Sequence, residues 1–139
     1  MKWKEIIVGG ILVGFVIVFV DIILGGLIQF IWSYDIFKLG GMRKIDDPIM
    51  LLFFVHPWVL SFMLTFVYSY FGKALDGNYI TKGWKFGLLM WTVVFVPYAF
   101  LVYTSMNYPI GFTVNSVIPP LAYMLLSGIL IAKTFEWLE

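Results

Sequence analysis

The chain has 139 residues, of which 62% are hydrophobic and only 12% charged, with a formal net charge of +1. A water-soluble domain of this length cannot hide so much apolar surface, so lipid must be the solvent. Near-neutrality argues against a nucleic-acid footprint. The absence of cysteine excludes disulfides, thiol catalysis and thiolate metal sites.

Four apolar runs, at residues 6–32, 49–71, 86–106 and 112–132, each supply the ~20 residues that a helix needs to cross ~30 Å of hydrocarbon. They are continuous rather than alternating, which predicts helices and not a barrel. The expected fold is therefore all-α: a polytopic membrane four-helix bundle, forming a single integral membrane domain over residues 1–139. The run at 6–32 is too long for a signal-peptide core and lacks a small-x-small cleavage pattern, so it is expected to be a span.

That first span carries the only formal charge in the four runs, Asp21. A carboxylate near mid-membrane costs roughly 3 kcal/mol on insertion scales, so it is expected to face protein, to have a partner, or to be protonated. On a helical wheel Gly10, Gly14, Asp21 and Gly25 fall within one arc of ~60°. Gly10 and Gly14 form a small-xxx-small pair that admits a neighbouring backbone. Asp21 is thus expected to look at another helix, either as a structural carboxyl or as a proton or ligand site.

The connection that follows holds Asp35, Lys38, Arg43, Lys44, Asp46 and Asp47, with Gly40-Gly41 as a turn. Asp47-Pro48 predicts a helix start, a side-chain cap followed by proline at the first helical position. Span two contains His56-Pro57, ~14 Å from Asp47 at helical rise and so on the loop side of the midplane. His56 reads either as a neutral residue bonded to a carbonyl or as a relay partner for Asp21. Ser61, Thr65, Tyr68 and Gly72 form a polar-small packing stripe.

Asp76-Gly77-Asn78 marks the second turn. Span three carries Gly83 and Gly87, with Val94 and Tyr98 continuing a predicted packing stripe, and Pro97 near mid-depth. Residues 86 to 132 contain no charge, so spans three and four are expected to form a tight antiparallel hairpin turning at Asn107-Tyr108-Pro109-Ile110-Gly111. Span four carries Pro119-Pro120 near mid-depth, with Ser116, Pro120, Tyr123 and Ser127 on one stripe. The prolines lack an N–H and free carbonyls close to the level of Asp21, with Tyr98 and Tyr123 beside them. Broken helices at that depth border binding sites in many transporters, and they also occur as ordinary kinks. Asp21, His56, Tyr98 and Tyr123 are the candidate proton or ligand residues; Gly10, Gly14, Gly25, Gly83 and Gly87 are the candidate packing residues. Nothing in the sequence supplies a catalytic motif, a cofactor fingerprint or a metal cage.

Orientation follows from Lys and Arg. Lys2, Lys4, Lys73, Lys82, Lys85 and Lys133 lie on the side of the termini, against Lys38, Arg43 and Lys44 on the other, which predicts cytoplasmic termini. Trp3, Trp84 and Trp137 on one side, and Trp32, Tyr34, Tyr103 and Tyr108 on the other, suit aromatic belts.

The stretch Gly83-Trp84-Lys85-Phe86-Gly87-Leu88-Leu89-Met90-Trp91, running on to Phe95-Val96-Pro97, resembles small uncharacterised prokaryotic four-span membrane proteins of unknown function. The resemblance covers the C-terminal half, implies a prokaryotic plasma membrane and brings no activity with it. Small multidrug-resistance transporters are a second comparison, being short four-span chains with one carboxylate in the first span. There the residue is a glutamate within its own motif, which this sequence does not reproduce.

Three functions are consistent with these features. One is a proton- or cation-linked transporter or small-ligand-binding bundle using Asp21, built as a homo-oligomer in the bilayer. Another is a structural or accessory subunit of a larger membrane complex. The third is an intramembrane lipid-modifying enzyme with Asp21 and His56 as acid and base.

Overall fold

The computed structural model describes residues 2–139. Four helical stretches are long and apolar enough to cross a membrane: Trp3–Ile31, Pro48–Ala74, Tyr79–Ser105 and Ile110–Leu138. The chain is an all-α four-helix bundle of the integral membrane type. Two of the four stretches are interrupted. The elements are α1 (Trp3–Ile31), a 3-10 segment (Pro48–Val55) leading into α2 (His56–Phe71), α3 (Tyr79–Ser105), the short α4 (Ile110–Asn115) and α5 (Ile118–Leu138).

Each interruption has a proline cause. Pro57 has no N–H to give the Phe53 carbonyl, and the His56 N–H takes that acceptor instead. This i−3 bond is the 3-10 pattern, and it runs back through eight residues to Pro48, longer than such segments usually extend. In span four Pro119 and Pro120 cannot bond the carbonyls of Asn115 and Ser116, so α4 stops at Asn115 and α5 begins at Ile118. Pro97 lies inside a continuous α3.

The hydropathy boundaries are corrected at two places. α3 starts at Tyr79, ahead of the predicted 86, and takes Lys82 and Lys85 into its first turns. α5 continues past 132 to Leu138, through Lys133 and Glu136. Hydropathy marks where hydrocarbon ends, whereas a helix ends where its backbone is capped. Asn78 supplies that cap for α3, its Oδ1 accepting the Thr81 N–H at 2.9 Å. The turn before it needs Gly77, whose φ is +111°.

α1 and α5 lie side by side at the centre, with α2 packed on α1 and α3 packed on α5. α2 and α3 stay largely apart and meet through Tyr68 and Phe86, whose rings sit edge to face at 5.1 Å. Val13, Leu64, Phe86, Met124 and Ile131 fill the middle. The expected hairpin of spans three and four is present as the α3–α5 pair. At Gly87 an added Cβ would come 2.9 Å from the Leu125 Cα, so the two helices touch backbone to backbone there. Gly83 and Gly128 extend the same contact. On the other side, Gly10 and Gly14 of α1 accept the rings of Phe62 and Trp58. Ser61 and Thr65, both fully buried, cross the α1–α2 seam to the carbonyls of Gly10 and Ile6.

The predicted stripe on span three is corrected. Gly83 and Gly87 are buried, but Val94 and Tyr98 are exposed. The buried line instead passes through Trp91 and Phe95, both partly covered, to Ala99. A seam that advances four residues at a time slants across the helix, as it does when small residues let two helices cross closely.

Lys2 and Glu139 form an ion pair, which places the two ends of the chain at the same end of the bundle. At the opposite end the connections are tied together. The Tyr108 hydroxyl donates to the Gly40 carbonyl at 2.7 Å, and the Gln29 amide to the Tyr34 carbonyl at 2.9 Å.

Candidate functional site

α1 is covered in two places along the face that carries Asp21. At Gly14 the indole of Trp58 lies against it, with Phe15 stacked edge-on to that indole at 5.2 Å. At Gly25 the cover is Asn115 from the end of α4, whose Oδ1 would lie 3.2 Å from an added Cβ. Between these levels α2 gives way to the 3-10 segment, and no residue of that segment is buried. Asp21 therefore sits in a lateral notch and is exposed on the surface of the chain. The sequence predicts that Asp21 looks at another helix; among the described residues of the single chain no helix covers it. Asp21 shares the arc of Gly14 and Gly25, but the span lying opposite is a 3-10 segment at that depth.

Among the described residues Asp21 makes no hydrogen bond and no ion pair. His56 and Tyr123 are the ionisable side chains near enough to feel its charge. His56 starts α2 at the 3-10 junction and is itself exposed. No carbonyl accepts from its imidazole among the described residues. Tyr123 comes from α5, is buried, and stacks edge-on against Phe95 at 5.8 Å. Tyr98, grouped with these from the sequence, stands 48% exposed on α3 and joins no polar contact. Asp21 and His56 are thus exposed side chains within electrostatic range of each other, Tyr123 approaches from the buried core, and Tyr98 stays apart.

A second polar group, absent from the sequence expectations, lies one turn further along α1. The Asn115 Nδ2 donates to the Tyr34 hydroxyl at 2.7 Å, while its Oδ1 is buried with no partner among the described residues. Asn115 is the only asparagine in the 112–132 run, and that was the signal available. Trp91 is likewise a missed contributor. Its Nε1 donates to the Val117 carbonyl at 3.0 Å, at the break between α4 and α5. Near the termini, Glu5 is 8% exposed, a buried carboxylate that the sequence reading passed over.

The chemistry available in the notch is limited and specific. One carboxylate, one imidazole and one phenol offer a proton site or a seat for a monovalent cation, with aromatic faces nearby to receive it. Among the described residues no three His, Asp or Glu side chains gather as a metal ion would require. Comparisons of the chain with protein-family models, with curated proteins and with solved structures found no match.

Proposed function

We propose that this integral membrane chain binds a proton or a lipophilic monovalent cation at Asp21 and works as a cation-linked carrier built from more than one copy. The observation that supports this most directly is the lateral exposure of Asp21 without a partner, at the depth where two spans are interrupted. A carboxylate left against acyl chains costs roughly 3 kcal/mol or more, so something must neutralise or cover it. A bound proton does this, and so does a cation. The two compete: as the cation enters the notch the carboxyl proton leaves, and the net charge there is unchanged.

Among the described residues Val13, Met124 and Ile131 fill the bundle axis, where such a ligand would otherwise sit. A second copy facing the notch encloses the missing volume, and symmetric pairing is the commonest way for a small chain to do so. Tyr123, whose ring meets Phe95 edge-on, is the phenol within electrostatic range of the carboxylate. Equilibrium binding of radiolabelled tetraphenylphosphonium to the purified chain in detergent tests the reading. Wild type should bind it and Asp21→Asn should not. Equal binding by the two would end it.

The same opening favours a second reading, in which a hydrogen-bond donor from a different membrane chain caps Asp21 and the protein is an accessory subunit. Asp21→Asn would then reduce co-purification of that chain and leave cation binding at background in both forms.

A further inference from the structure

A cavity of 480 Å³ opens at the end of the bundle that holds the termini, far from Asp21. Its wall carries three ammonium groups, Lys2, Lys73 and Lys82, and two carboxylates, Glu136 and Glu139. Lys2 is already paired with Glu139 and also lies over the Phe135 ring. The lining side chains together carry three positive charges against two negative ones. Lys73 and Lys82 flank the turn at Gly77-Asn78 that opens the 27-residue helix α3.

The floor supplies an independent indication. Tyr68 is only 5% exposed, its ring held edge-on between Phe86 and Phe135 at 5.1 Å from each. It lines the cavity, and among the described residues its hydroxyl has no hydrogen-bond partner. The ring is buried while the hydroxyl opens on the cavity, where it can donate to an acceptor brought by a ligand.

We propose that this cavity holds a phosphate group, with Lys73 and Lys82 as cationic donors and the Tyr68 hydroxyl as the donor at its base. The group is either the phosphodiester of an anionic phospholipid or free inorganic phosphate. The cavity lies at the end marked by the exposed Trp3, Trp84 and Trp137, the level at which phospholipid headgroups sit. Its floor of Tyr68, Ala132 and Phe135 is continuous with the apolar core. Both features favour the lipid.

The test uses the full chain in an uncharged detergent, titrated separately with phosphatidylglycerol, with diacylglycerol of the same acyl length, and with sodium phosphate. Phosphatidylglycerol should bind and diacylglycerol should not. The Lys73→Gln/Lys82→Gln double variant should bind it about tenfold more weakly or worse, from two lost surface charges. Tyr68→Phe keeps the ring and the packing, and should weaken binding several-fold at unchanged thermal stability. Asp21→Asn should bind as wild type does, which separates this site from the mid-membrane notch. Binding of phosphate but not of phosphatidylglycerol assigns the site to the soluble anion. Equal binding of diacylglycerol and phosphatidylglycerol, indifference to either variant, or no binding in either phosphate-bearing arm would overturn the proposal.

Discussion

The indole N–H of Trp91 donates to the Val117 carbonyl at 3.0 Å, joining the middle of α3 to the gap between α4 and α5. The same carbonyl accepts the Leu121 N–H at 3.1 Å, so it anchors the first turn of α5 while the tryptophan holds it in place. Trp91→Phe should lower stability by about 1 kcal/mol, the net value of one such bond. Trp84→Phe, at a 42% exposed position, should change it little. Unfolding of both variants in mixed micelles checks the difference.

The α3–α5 contact makes a steeper prediction. Gly87→Ala places a methyl group 2.9 Å from the Leu125 Cα, and backbone cannot move aside as a side chain can. Forcing the helices apart should cost about 1–3 kcal/mol. Gly26→Ala meets nothing within 4 Å and should be neutral or slightly stabilising. Loss of stability in both variants would mean that the effect lies in the glycines themselves and not in the crossing.

Ser61 donates to the Gly10 carbonyl at 2.6 Å across the α1–α2 seam. Hydroxyls in membrane helices contribute modestly, because they find local acceptors too, and Ser61 also reaches the Trp58 carbonyl at 3.0 Å. Ser61→Ala should therefore cost about 0.6 kcal/mol. A loss of several kcal/mol in the same unfolding assay would show that the serine holds α1 and α2 together almost alone.

Asp47 predicts a pH effect at the start of span two. Its carboxylate accepts the Ile49 N–H at 2.9 Å and the Arg43 guanidinium at 2.8 Å. These bonds, the backbone one first, hold its pKa below the ordinary 3.8. The sign follows directly. Above 3.8 the carboxyl is ionised in both folded and unfolded chains, and the cap is fully in place. As pH falls below 3.8 and through the lowered folded value, protonation removes it. The Ile49 amide resonance should titrate with a midpoint below 3.8, and Asp47→Asn should abolish the titration. A midpoint at or above 3.8 would contradict the geometry.

Much of this fold is legible in the residues. The four spans follow from hydropathy because a bilayer demands unbroken apolar length. The glycines of α1 and α3 mark real helix contacts because only small residues allow such approach. The Asp47 cap and the Gly77 turn follow from local chemistry. What escaped depends on how helices cross. The buried line on α3 slants toward Ala99, and a straight wheel sends it to Tyr98 instead. Pro57 signals a break, but the extent of the 3-10 segment back to Pro48 depends on the whole run of backbone bonds. The exposure of Asp21 comes from that segment, which lies in the next span and not in Asp21's own sequence neighbourhood. Asn115 and Trp91 act across elements, where spacing along the chain carries no information.

Proton release on cation binding is the most direct measurement. The purified chain in weakly buffered detergent receives tetraphenylphosphonium while pH is recorded, at a pH where binding is half protonation-limited. Wild type should release protons in proportion to cation bound, and Asp21→Asn should release none. Cation binding by wild type with no change in pH, or the same release from the Asn variant, would contradict a shared seat for proton and cation at Asp21.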